Sequence, residues 1–167
     1  REICRRTKVT QPSVINHLRA LVKENLILKE KKSLYQTFAA NRENEGFKLY
    51  KKMNLISRLH ESGFIDHLYD SCLPDVIILF GSALRGEDVE ESDIDIFVAS
   101  KEKKIQIIKY GKSLNRKIEI FFESDFSKLS NELKNNILNG FVLKGYVKVF
   151  WMLIKVTPDK EKARSIV

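Results

Sequence analysis

Apolar residues recur along this chain with two periods, and the change of period divides it. Over 11–23, Val14, Leu18, Leu21 and Val22 fall on one helical face, and Ile3, Cys4 and Val9 bracket an earlier helix and turn. Thr10 or Gln11 is placed to cap the second helix, with Pro12 at its first position, where a missing N–H costs nothing. Two short strands follow, LILKE and LYQTFA, separated by a basic KKS tip. Phe47, Leu49, Tyr50, Met53, Leu55, Ile56 and Leu59 mark a helix over 43–61 that Ser62-Gly63 ends, and a shorter helix over 64–71 stops before Pro74. From residue 76 onward strands and helices alternate. VIILF at 76–80 precedes a helix from 82, IDIFVA at 94–99 a helix over 102–113, and KIEIFF at 117–122 follows. A last apolar stretch, 141–156, is broken by lysines and reads as strand.

This order predicts an α+β protein with a winged helix-turn-helix over 1–42 and connecting helices over 43–72. A domain with a small mixed sheet flanked by helices then occupies 73–150, and 151–167 form a C-terminal extension. Apolar residues make up 43% of the 167, enough for a core. No apolar run reaches the ~20 residues of a membrane span, so no membrane association is expected. No secretory signal is visible in the sequence, which begins abruptly at Arg1, and two cysteines make no disulfide framework. A reduced, cytoplasmic setting is expected.

Charge adds a function to the first segment. The formal net charge is +8, and residues 1–40 hold nine Lys and Arg against three Glu. A concentrated basic excess is the footprint of a polyanion binder. On the predicted second helix the face opposite the apolar one carries Ser13, Asn16, His17 and Arg19, side chains that hydrogen-bond base edges, and Gln11 stands at its start. Arg5, Arg6, Lys31 and Lys32 are placed to meet phosphates. REICRRTKVTQPSVINHLRALVKENLILKEKK resembles winged-helix transcriptional regulators, which implies double-stranded DNA as a partner and a homodimer on a palindromic site.

Residues 76–100, VIILFGSALRGEDVEESDIDIFVAS, carry the candidate chemistry. A buried strand ends at Phe80, and Gly81-Ser82 opens a helix. Gly81 lets the backbone approach a ligand, and a helix start offers free N–H groups to phosphate. Asp93 and Asp95 point to one face of the next strand while Ile94 and Ile96 face the core. Adjacent carboxylates resist ionising together unless a cation relieves them, and hard oxygen ligands suit magnesium. Glu119, between Ile118 and Ile120 on a strand read as central, is a third acid that either joins a metal cluster or accepts a proton from an attacking hydroxyl. Arg85 either touches a phosphate or pairs with Glu87 or Asp88. The acidic run Glu87, Asp88, Glu90 and Glu91 reads as a solvated loop.

Gly81-Ser82, ten residues and Asp93-x-Asp95, with Ala83-Leu84-Arg85-Gly86 and Ser92, resemble the signature of the polymerase-beta-like nucleotidyltransferases in their minimal form. The likeness runs from 76 to 145, where NGFVLKG is similar to that family's closing strand. The resemblance implies that Gly81 and Ser82 hold nucleotide phosphates, that Asp93 and Asp95 bind Mg2+, and that Glu119 assists. It also implies ATP as donor, a hydroxyl attacking the α-phosphate, and an antitoxin-like role in which a tyrosine of a HEPN-type toxin is adenylylated. A competing reading is a transcriptional regulator whose transferase fold only binds nucleotide or metal, and another is an interaction module with an empty site. His17, His60 and His67 form no metal-ligand grouping, and Phe150, Trp151 and the tail 157–167 are read as packing residues and a charged end.

Overall fold

The computed structural model describes residues 2–30, 36–89 and 92–147. The chain divides into two compact units between Met53 and Asn54.

In the first unit, helix α1 (Glu2–Thr7) and helix α2 (Gln11–Lys23) are joined by a turn through Lys8, whose φ is 56°. Thr10 is the N-cap of α2 in extended geometry, but its hydroxyl makes no capping bond, and Pro12 lies just inside the first turn. Val14 is buried on the expected face, whereas Leu21 is 37% exposed. Strands β1 (Ile27–Glu30) and β2 (Thr37–Ala40) pair antiparallel, Ile27 opposite Ala40. Asn41 closes this hairpin: its side-chain amide donates to the Asn25 carbonyl at 2.9 Å and its backbone N–H to the Leu26 carbonyl. The wing-tip lysines, Lys31 and Lys32, lie outside the described residues. Helix α3 (Glu45–Glu61) begins in this unit and ends in the next.

The second unit is a four-stranded mixed sheet. Helix α4 (Phe64–Cys72) leads into strand β3 (Val76–Phe80), and a five-residue helix, α5 (Gly81–Arg85), follows. Strand β4 (Ile94–Val98), helix α6 (Ile108–Leu114) and strand β5 (Ile118–Phe122) make one parallel crossover. A short 3-10 turn (Phe126–Lys128), helix α7 (Asn131–Leu138) and strand β6 (Phe141–Gly145) complete the unit. The strand order is β5-β4-β3-β6, with β3 antiparallel to both neighbours. Every residue of β3 is buried, as the VIILF run demands of a strand covered on both faces.

Period-two alternation sends Ile94, Ile96 and Val98 to one face, against Leu59, Phe64, Leu68, Tyr110 and Leu114 from α3, α4 and α6. Phe97 points to the other face, with Phe126 and Ile137 from the 3-10 turn and α7. That second face also carries Asp95, one pleat closer to the start of β4.

Three expectations are corrected here. The helix placed at 102–113 begins only at Ile108, because Ile105 and Ile107 alternate with polar residues and pack on the core, a period of two rather than 3.6. Among the described residues strand β5 is an edge strand, not a central one. The final strand ends at Gly145, with Tyr146 and Val147 outside it, and residues 148–167, with Phe150, Trp151 and the tail, lie outside the described residues. Among the described residues no helix is long and apolar enough to cross a membrane.

Candidate active site and helix-turn-helix face

The sheet register assembles the acidic group. Asp95 stands opposite Phe80 on β3, so the chain entering α5 at Gly81 passes directly beside its carboxylate. On the other flank Asp95 is in register with Glu119 on parallel β5. Asp93 lies one residue before β4, with a side chain 31% exposed. Burial first, then the charges of Glu119 and Asp93, hold the Asp95 carboxyl above the usual carboxylate range; Arg116 and Lys117 offset this only in part. Asp93 and Glu119 thus both act electrostatically on Asp95; the parallel register of β4 and β5, rather than the alternation, brings Glu119 there.

Gly81 has a structural reason as well as a chemical one. Its φ is +77°, and a Cβ there would come 2.2 Å from Asp95 Oδ2. Gly81→Ala is expected to cost about 1–2 kcal/mol in backbone strain alone and to push the Asp95 carboxylate from its place. Thermal melting and a transfer assay on the same variant check this; a wild-type melting point and rate would show that the turn accepts a side chain. Ser82 follows, half-buried, at the start of α5. Arg85 is paired with Glu87, its Nε 2.7 Å from Oε2, and both side chains are exposed.

Two residues that sequence reasoning passed over organise this region. Arg116 is largely buried and donates from Nε and Nη2 to the Ser92 carbonyl, at 2.9 and 2.7 Å, and from Nη2 to the Asp93 carbonyl at 3.0 Å. Its Nη1 meets Asp88 Oδ2 at 2.6 Å, and the Asp88 side chain is only 3% exposed. Asp88 is thus no solvated acid, which corrects the reading of the acidic run; Glu90 and Glu91 lie outside the described residues. Lys117 Nζ lies 2.8 Å from Asp93 Oδ2 and 4.0 Å from Glu119 Oε2. The signal for both was the Arg116-Lys117 pair just ahead of the Glu119 strand, which the parallel register sets beside Ser92 and Asp93.

The expected three-acid metal cluster is not preformed. Among the described residues no three His, Cys, Asp or Glu side chains converge to hold a metal ion. The Lys117 ammonium sits against Asp93. The donors still suit magnesium, since they are hard carboxylate oxygens. His67 packs against the Tyr110 ring, centroids 5.4 Å apart, a structural role.

On the first unit, Asn16, His17 and Arg19 are exposed on α2, and Ser13 is half-buried. Arg19 and Gln11 line a cleft between α2 and the β1–β2 hairpin, with Ile15, Lys29 and Phe38. Arg5 and Arg6 are exposed on α1, Arg6 paired with Glu2 at 2.6 Å.

Comparison with known proteins agrees with both units. Residues 65–147 match the family described as polymerase beta, nucleotidyltransferase, and residues 1–29 match bacterial regulatory proteins of the arsR family. No curated protein matches the chain. A solved structure described as "Crystal structure of the toxin-antitoxin with AMP-PNP" is 24% identical, with a TM-score of 0.40, over 55% of this chain and 80% of that one. With the acidic register, the Gly81 turn and the hairpin-flanked helix pair in place, residues 65–147 are a nucleotidyltransferase domain of the polymerase beta type and residues 1–29 an arsR-type helix-turn-helix.

Proposed function

We propose that this protein transfers AMP from ATP to a protein hydroxyl, with Mg2+, and binds its own operator DNA. The observation that carries the enzymatic part is the register that sets Asp95 between the Gly81 backbone and Glu119, with Asp93 two residues away. Asp93, Asp95 and Glu119 would hold the magnesium, which when bound neutralises charge on the phosphates and lowers the barrier to in-line displacement. Gly81 and Ser82 border the phosphates. The acceptor oxygen bonds to the α-phosphorus, the α–β bridging P–O bond breaks, and pyrophosphate leaves. If Glu119, nearly half exposed, does not hold the metal, it would instead take the hydroxyl proton.

The acceptor follows from the resemblance to minimal nucleotidyltransferases: a tyrosine hydroxyl on a HEPN-type toxin partner. The test is incubation with α-labelled ATP, magnesium and lysate containing that partner. A labelled protein band that requires Asp95 is expected; no label at any protein would overturn the reading. A second reading, in which the fold only senses nucleotide or metal, is favoured by one observation, the Lys117 ammonium already neutralising Asp93. Altered DNA binding on adding ATP and magnesium, with no transfer, would select it.

For the DNA-binding part we assign Gln11, Ser13, Asn16, His17 and Arg19 to base edges, and Arg5, Arg6, Lys31 and Lys32 to phosphates, in a homodimer. Asn16→Ala or Arg19→Ala is expected to cost about 1–3 kcal/mol at the cognate site and to relax sequence preference. Lys31→Ala and Lys32→Ala weaken all sequences alike and flatten the salt dependence. Mobility-shift titrations on the upstream DNA at two salt concentrations check both; no binding at low salt would direct the basic face to another partner.

A further inference from the structure

Lys117 stands where a metal-free acidic site needs positive charge. Its ammonium contacts Asp93 at 2.8 Å and approaches Glu119 to 4.0 Å, so it spans two of the three acids. The lysine side chain is 69% exposed, and its flexible stem can leave without opening the core. Asp93 is less free to move, since Arg116 holds its backbone carbonyl at 3.0 Å. When the pair separates, the lysine is therefore the partner that goes.

We infer that Lys117 is a tethered counter-ion that occupies Asp93 in the metal-free protein, leaves it when a divalent cation binds, and so ties metal binding to the arrival of an anionic ligand such as nucleotide phosphate. The inference rests on the metal-binding reading of Asp93, Asp95 and Glu119. A cation entering alone must displace the ammonium, so its affinity is lowered by the strength of the pair. For a pair this exposed the penalty is small, about two- to fivefold in affinity. The released ammonium then stands at the rim of the site without its acid, and an anion there regains the lost pairing. Cation and nucleotide thus strengthen one another, and the coupling is reciprocal.

The measurement is Mn2+ binding to the full chain by calorimetry or electron paramagnetic resonance, without nucleotide and then with a non-hydrolysable ATP analogue. Lys117→Met is expected to bind Mn2+ about two- to fivefold more tightly than wild type when nucleotide is absent. It should also gain less affinity than wild type when the analogue is added. Lys117→Arg, which keeps the charge, should stay near wild type, and Asp95→Asn should lose the site. Melting curves confirm that the exposed position tolerates each change. If Lys117→Met binds Mn2+ no more tightly than wild type while Asp95→Asn loses it, the counter-ion role is wrong and the metal reading stands. If wild type and Asp95→Asn bind Mn2+ equally, or neither binds, the metal reading fails and takes this inference with it.

Discussion

Asp95→Asn abolishes nucleotide transfer, by an expected factor on the order of 10³ or more, because several kcal/mol of transition-state stabilisation depend on this carboxylate. The same change leaves the melting temperature at neutral pH unchanged or raises it. Burial, Glu119 and Asp93 raise the Asp95 carboxyl above its ordinary range, so the folded protein holds that proton more tightly than the unfolded chain does. The sign follows from linkage. Stability from this group is full below the ordinary carboxylate pKa and is lost as pH rises through the raised folded value. At neutral pH the ionised Asp95 is a cost to the fold, and the amide removes it. Paired transfer assays and melting curves at acid and neutral pH check this: the advantage of the variant should shrink toward acid. Retained transfer in Asp95→Asn would remove the enzymatic proposal. A large fall in melting temperature would instead make Asp95 a structural residue.

Arg116→Ala is expected to produce the largest loss of stability, about 3–5 kcal/mol, the range found when one partner of a buried ion pair is removed. The reason is the Asp88 carboxylate, 3% exposed and 2.6 Å from the guanidinium. Two carbonyls, of Ser92 and Asp93, lose donors at the same time. Arg116→Lys recovers little, because an ammonium cannot serve Asp88 and both carbonyls from one planar fork. Arg116→Met combined with Asp88→Leu removes both charges and should regain much of the loss. Denaturant unfolding measures all three variants. A cost below about 1 kcal/mol for Arg116→Ala would mean the pair behaves as a surface bridge. Transfer should fall as well, since this arginine fixes the backbone that presents Asp93.

Local pattern carried most of the architecture. The Asp93-Ile94-Asp95-Ile96 alternation decides which face each side chain takes, because a strand has a period of two wherever it is placed. In the sequence Gly81 reads as letting a ligand approach the backbone; the structure adds a φ of +77°, which other residues resist. The helix pair, the hairpin and the strand-helix alternation were legible for the same reason: each depends on residues close in sequence.

What tertiary structure decided is which distant groups meet. Strand order put β5 at the edge, so Glu119 is nearly half exposed rather than buried between isoleucines. The parallel register of β4 and β5 brought Arg116 to Asp88 and Lys117 to Asp93, pairs more than twenty residues apart. Asp88 reads as a solvated acid in the sequence because its charge is visible there and its partner is not. The segment before α6 was misread as helix because which of its residues pack on the core is not visible in the sequence; Ile105 and Ile107 do, and the helix starts only at Ile108. Periodicity and turn chemistry are short-range and belong to the sequence. Ion-pair choice and strand order are long-range, settled only when the sheet closes.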